Sequence, residues 1–219
     1  TTKALLNWWF HTEHENFRYY FAQREAVETI IYLHEIANIR DKDQLFENYN
    51  SSLKVTQKHF TENWLRLVTK MATGSGKTKV MSLLIVWSYF NRVYENKNEL
   101  SSNFLIIAPN IIVLDRLKTD FDNLNIFRKD PCIPADGINN QNWKIDFFND
   151  IEIHFQKQAR VKKQKGNIFL TNIQQIYTGR EKKPSLDDED LTDFFFGNKV
   201  KNKLKKSVDL LKLIKQVDE

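Results

Sequence analysis

The chain has 219 residues, more than one average domain and fewer than two comfortable ones, enough to bury about 70% of its unfolded surface without a disulfide or metal staple. An apolar fraction of 41% with 13% aromatics excludes wholesale disorder, and no stretch approaches roughly 18 uncharged apolar residues, which excludes a transmembrane helix. The net charge of +5 is uneven, −1 over residues 1–155 and +6 over residues 156–219, so a basic tail that could track phosphates stands beside the plainer reading of a solvated face.

The first predicted element covers residues 22–40, where Ala26, Val27, Ile30, Ile31, Leu33, Ile36 and Ala37 fall near helical spacing. Residues 41–62 are polar and Asn-rich and read as a loop or a short surface helix. A short apolar run at 64–68 reads as a strand leading into Met71-Ala72-Thr73-Gly74-Ser75-Gly76-Lys77-Thr78, and residues 79–94 follow as a helix buried on most sides. Residues 104–108 read as a buried strand stopped by Pro109, which cannot donate to a ladder, and residues 110–122 return to helical period. Residues 123–150, with Pro131, Pro134, Gly137 and several Asn, read mostly as loop. Residues 151–155 and 167–171 are two further strands, residues 181–206 are irregular, and residues 208–217 suit a last helix. Strands alternating with helices predict βαβ units and a parallel sheet.

Gly74-Ser75-Gly76-Lys77-Thr78 between a strand and a helix is the strongest chemical signal. Glycines let successive backbone N–H groups turn inward around phosphate oxygens, where side chains would block the approach. The helix that begins near Lys77 adds the positive end of its dipole. Lys77 is placed to reach the β- and γ-phosphates and the Thr78 hydroxyl to ligate Mg²⁺, which predicts ATP with Mg²⁺ as the ligand; the alternative is a merely structural glycine turn. The general pattern would have glycine where this chain has Met71, and the variant with Thr73 before the first glycine is how superfamily-two helicases and translocases write the loop.

From this point the sequence resembles a family, the restriction (Res) subunit of type III restriction enzymes, or a close DEAD/DEAH-box helicase-like relative. Four blocks carry the likeness. Residues 17–29, beginning Phe17-Arg18-Tyr19-Tyr20-Phe21-Ala22-Gln23-Arg24, resemble the family's opening segment, in which the glutamine reads adenine. Residues 70–78 match motif I. Ile106-Ile107-Ala108-Pro109-Asn110 with Val113-Leu114 resembles motif Ia. Phe169-Leu170-Thr171-Asn172-Ile173-Gln174-Gln175-Ile176-Tyr177 resembles motif Ib. The resemblance implies an α/β fold, a RecA-like P-loop NTPase lobe with a mostly parallel sheet flanked by helices, incomplete as it stands. It divides the chain into residues 1–180, the N-terminal portion of helicase lobe 1, and residues 181–219, an irregular basic segment with a terminal helix. It also implies double-stranded DNA and a modification methyltransferase subunit as partners.

Each block also has its own physical reading. Gln23 can donate and accept, which suits the adenine edge, and equally it could be a surface glutamine at a helix start. Arg24 either supports the nucleotide or pairs with a carboxylate. Pro109, Asn110, Thr171 and Asn172 sit where strands run out, the end at which open α/β sheets bind ligands, so they are candidates for holding a nucleic-acid backbone; ordinary strand-ending turn chemistry is the alternative. His11 and His14 flank Glu13 without completing a metal set, and His34, His59 and His154 receive no role. Trp8, Trp9, Trp64 and Trp87 read as core, and Phe194-Phe195-Phe196 as either a patch or a packed corner. The lone Cys132 excludes an internal disulfide and makes a reducing cytoplasm the expected compartment.

Hydrolysis also needs a carboxylate to complete the Mg²⁺ site and a group to orient water. The resemblance supplies both from an Asp-Glu-x-His box after an apolar strand, and these residues contain none. Asp187-Asp188-Glu189-Asp190 follows no buried strand and does not substitute. The box is expected shortly beyond the region corresponding to residues 208–219, so the chain reads as an N-terminal fragment of a larger ATP-driven motor, unable to hydrolyse ATP alone. The leading expectation is thus the ATP-binding part of a DNA-dependent ATPase and translocase of a type III restriction endonuclease. The alternatives are a DEAD/DEAH-like helicase of another DNA-processing system and a non-catalytic nucleotide-binding module.

Overall fold

The computed structural model describes residues 1–49, 65–138, 141–155 and 165–176. Eight α-helices and three strands follow in the order α1 (Thr2–Phe10), α2 (Phe21–Glu35), α3 (Lys42–Tyr49), α4 (Lys77–Tyr94), β1 (Asn103–Ala108), α5 (Ile111–Phe121), α6 (Asn125–Lys129), α7 (Trp143–Asp150), β2 (Ile151–Phe155), β3 (Gly166–Asn172) and α8 (Ile173–Ile176) among the described residues. The fold is α/β, a parallel sheet flanked by helices. The strand order is β1-β3-β2, with both pairings parallel. Registers run from Asn103 opposite Asn167 to Ala108 opposite Asn172, and from Ile151 opposite Gly166 to Phe155 opposite Leu170.

The central position of β3 explains its sequence. All seven of its residues are buried, so a continuous apolar run replaces the alternation that a half-exposed strand shows. The buried Asn167 near its start is satisfied across the sheet. Asn167 Nδ2 donates to Asn103 Oδ1 at 2.9 Å, which leaves Asn167 Oδ1 to accept from His154 Nε2 at 2.8 Å. His154 also stacks on Phe169, with centroids 4.8 Å apart. A histidine without an assigned role in sequence is therefore part of a buried structural network.

Helix α4 is the central pillar. Ten of its residues are buried, including Val80, Leu83, Val86 and Phe90, and they join Leu5, Trp9, Val27, Ile31, Leu114, Phe121, Trp143, Phe147, Ile168 and Leu170 in one core. Ser88 Oγ donates to the Ser101 carbonyl at 2.7 Å, just ahead of β1. A methyl group on Gly166, the first residue of β3, would lie 3.0 Å from the Tyr89 ring. The second half of α4 thus lies beside the starts of β1 and β3.

Several expectations are corrected. The helix expected over 22–40 ends at Glu35, because Asn38 adopts a left-handed backbone (φ 54°). Only Val27 and Ile31 of the expected stripe are buried, with Gln23 continuing the same i, i+4, i+8 line, while Ile36 is exposed. The strand expected over 64–68 is absent from residues 65–68. Those residues pair with none of the three strands, Val68 is 87% exposed, and without a ladder partner or burial nothing favours a strand there. Trp64 lies outside the described residues, as do His59, the basic residues 156–164, and all of 177–219, including Phe194-Phe195-Phe196 and the expected last helix.

The expected loop over 123–150 contains α6 and α7. Asn142 caps α7 by accepting from the Ile145 N–H at 3.1 Å, and Trp143 and Phe147, one turn apart, bury themselves against α4. Asn110 likewise caps α5, its Oδ1 accepting from the Val113 N–H at 2.9 Å. Replacing Asn110 with alanine is expected to lower stability by about 1 kcal/mol, read by urea unfolding; an unchanged midpoint would remove the cap from the account.

Candidate functional site

The loop ahead of α4 is built by two glycines with left-handed backbones, Gly74 at φ 80° and Gly76 at φ 81°. Residues with a Cβ avoid that region, so the Gly-Ser-Gly order is what allows the chain to reverse twice within three residues. Gly76 is also the N-cap of α4, and Lys77 is its first helical residue. The N–H groups of Lys79 and Val80 both reach the Gly76 carbonyl, at 2.9 and 3.3 Å. Helix geometry leaves the N–H groups ahead of them, those of Lys77 and Thr78, without intrahelical acceptors, and the helix dipole makes this end positive.

A single carbonyl closes the loop. The Ala72 oxygen accepts from the Ser75 N–H at 3.3 Å, from Ser75 Oγ at 2.7 Å and from the Lys77 ammonium at 2.8 Å. Three donors on one carbonyl fix the turn's shape, and Lys77 lies back over the loop it belongs to. Thr73, Gly74 and Lys77 are exposed, while Ser75, Gly76 and Thr78 are half-buried. Lysine is the right residue for such a place, a compact charge on a flexible stem that a phosphate oxygen can attract away from a neutral carbonyl.

Gln23 approaches the loop from α2. Its Oε1 accepts from the Tyr20 N–H at 3.0 Å and its Nε2 donates to the Ser75 carbonyl at 2.9 Å. It is 1% exposed, which excludes the surface-glutamine alternative. Arg24, the next residue of α2, is half-buried. Its Nε donates to Glu28 Oε1 at 2.9 Å and its guanidinium lies 5.6 Å from the centre of the Phe10 ring, so it pairs with a carboxylate one turn away.

Behind the loop is a polar cluster that the sequence did not single out. Lys79, one residue past Thr78, pairs with Asp130 and sits 4.7 Å from the Phe17 ring centre. Nearby, the buried Cys132 thiol contacts the Tyr19 hydroxyl at 3.6 Å and Ser82 Oγ at 3.7 Å. Burial pushes the thiol up to about 11, against the opposing pull of those two hydroxyls, so Cys132 is a neutral packing group. Burial, with the Cys132 neighbour, also drives the Tyr19 phenol well above its ordinary value. Trp8 and Trp9 complete the join, their indole N–H groups donating to the carbonyls of Pro131 (2.8 Å) and Cys132 (2.7 Å). His14 Nε2 lies 2.7 Å from the Trp8 carbonyl, which gives it a local structural contact. Apart from the His14 contact, these span large sequence separations, and no local pattern signals them.

The four residues expected at strand ends are brought together but differ in access. Asn172 is opposite Ala108, so Thr171-Asn172 and Pro109-Asn110 share one corner of the sheet. Pro109 is exposed and Asn110 half-buried, whereas Thr171 and Asn172 are 1% and 2% exposed. Among the described residues no helix is long and apolar enough to cross a membrane.

Comparison with known proteins agrees with this geometry. Residues 16–202, most of the chain, match the family described as type III restriction enzyme, res subunit. No curated protein and no solved structure matches the chain.

Proposed function

Since the chain belongs to the res-subunit family of type III restriction enzymes, a helicase-like ATPase family, we propose that its Gly74–Thr78 loop binds ATP with Mg²⁺ and that the protein works as the ATP-binding lobe of a DNA-dependent translocase. The observation that carries the reading is the pair of left-handed glycines delivering Lys77 and Thr78 to the first turn of an 18-residue helix. The donor set suits a polyphosphate. The first-turn N–H groups of Lys77 and Thr78 lie at the positive helix end, Lys77 adds an exposed ammonium, and Thr78 adds a hydroxyl of the kind that ligates Mg²⁺. When bound, Mg²⁺ would neutralise phosphate charge, while this chain's own residues hold and orient the triphosphate.

The proposed DNA contact is the corner formed by Pro109 and Asn110, with the buried Thr171 and Asn172 at the end of the neighbouring strand. It follows from the place of that corner at the carboxyl ends of parallel strands, where short polar groups can hold a phosphate backbone without reading bases. A modification methyltransferase subunit is the protein partner that family membership suggests. Calorimetric titration of the chain with ATP and Mg²⁺ tests the central claim. Lys77→Ala is expected to weaken binding by about 10- to 100-fold, the worth of a hydrogen bond to a charged group, with little change in melting temperature. Equal affinities for wild type and variant would overturn it.

A further inference from the structure

The residue expected to read the base also grips the loop expected to hold the phosphates. Gln23 is the N3 residue of α2, and its amide is oriented by two demands at once. Oε1 must face the Tyr20 N–H and Nε2 must face the Ser75 carbonyl, so the amide cannot flip without losing both bonds. Gly76 closes the arrangement. A methyl group there would stand 2.2 Å from Gln23 Nε2, closer than any non-bonded approach, so the loop backbone is seated directly against the glutamine amide. With 1% of its surface exposed, Gln23 has water at neither end.

We infer that Gln23 is a positioning residue for the phosphate loop, setting the Ser75 peptide and hence the direction of the loop's N–H groups, so that its contribution falls on the polyphosphate and not only on the base. The inference rests on the nucleotide-binding reading and deepens it. The Ser75 carbonyl and the Gly76 N–H belong to one planar peptide unit, so fixing the oxygen fixes where that N–H points. An anion is held by such N–H groups only if they are already turned toward it, because reorganising them on binding subtracts from affinity. Gln23 also ties the loop to the start of α2 through Tyr20, which links the position of the opening segment to the shape of the cradle.

The test separates base from phosphate. Mg²⁺-tripolyphosphate, ATP and GTP are titrated into wild type, Gln23→Ala and Gln23→Glu. The Glu variant keeps an acceptor for the Tyr20 N–H and nearly the same volume but loses the donor to Ser75, so it remains informative if the Ala variant unfolds. The expected result is a loss of about tenfold for all three ligands, tripolyphosphate included, with any change in the ATP-to-GTP ratio coming on top of it. Melting curves confirm that each variant is folded at the titration temperature. Unaltered tripolyphosphate affinity with a selective loss of ATP would overturn the inference and leave Gln23 as a base reader alone. Failure of the underlying nucleotide reading has a different signature, no Lys77-dependent binding of any of the three by wild type.

Discussion

Gly76→Ala is expected to lower the melting temperature by about 6–12 °C, whereas Gly74→Ala two residues earlier costs only about 2–4 °C. Both glycines have φ near 80°, so both substitutions force an L-residue into the left-handed region at about 1 kcal/mol. They part company on space. A Cβ on Gly74 meets nothing within 4 Å, while a Cβ on Gly76 meets Gln23 Nε2 at 2.2 Å. The glutamine side chain must then give way, and it leaves two buried hydrogen bonds behind, to Tyr20 and Ser75, which adds about 2 kcal/mol. A double-mutant cycle isolates that second part. In a Gln23→Ala background the cost of Gly76→Ala is expected to fall to the level of Gly74→Ala, a coupling of about 1–3 kcal/mol. Additive effects in the cycle, or equal costs at the two glycines in wild type, would show that the Gln23 contact does not constrain the loop.

The same contrast shows what a one-dimensional reading can reach. Gly74-Ser75-Gly76-Lys77-Thr78 is legible because its information is local: glycine conformations, a helix start and two chemical groups lie within five residues. The parallel strands β1, β2 and β3 were legible within a residue at either end, β1 and β3 from short apolar runs and β2 from the alternation of Ile151, Ile153 and Phe155. Gln23 was legible as a chemically capable residue but not as a contact of Ser75, 52 positions away. Lys79 with Asp130, and the two indoles on the Pro131 and Cys132 carbonyls, lie beyond sequence for the same reason. The strand ahead of the loop failed in the opposite direction. Leu65, Leu67 and Val68 have the right composition, but a strand is a relation between chains, and residues 65–68 have no ladder partner among the described strands.

Residues 123–150 are where tertiary packing overrode local propensity most plainly, and there the second large effect is expected. Trp143 is fully buried, stacked on Phe90 with centroids 4.6 Å apart and planes 19° from parallel, and on Tyr94 at 5.9 Å and 13°. Its Nε1 donates to Gln141 Oε1 at 3.0 Å, so the indole is both packed and satisfied. Gly137 lies against the other side, where a Cβ would fall 2.0 Å from the ring. One side chain therefore holds Gly137, Gln141, α7 and the C-terminal half of α4 together. Trp143→Ala should cost about 3–5 kcal/mol, from lost transfer energy plus the cavity left among rings that cannot collapse into it. Trp143→Phe retains the stacking and should recover roughly half of that, because only the benzo portion and the hydrogen bond to Gln141 are missing. Urea unfolding followed by far-ultraviolet dichroism measures both. A loss under about 1 kcal/mol for the alanine variant would mean that α7 is held by Phe147 and the strand that follows it, and that the three-ring stack is incidental to the fold.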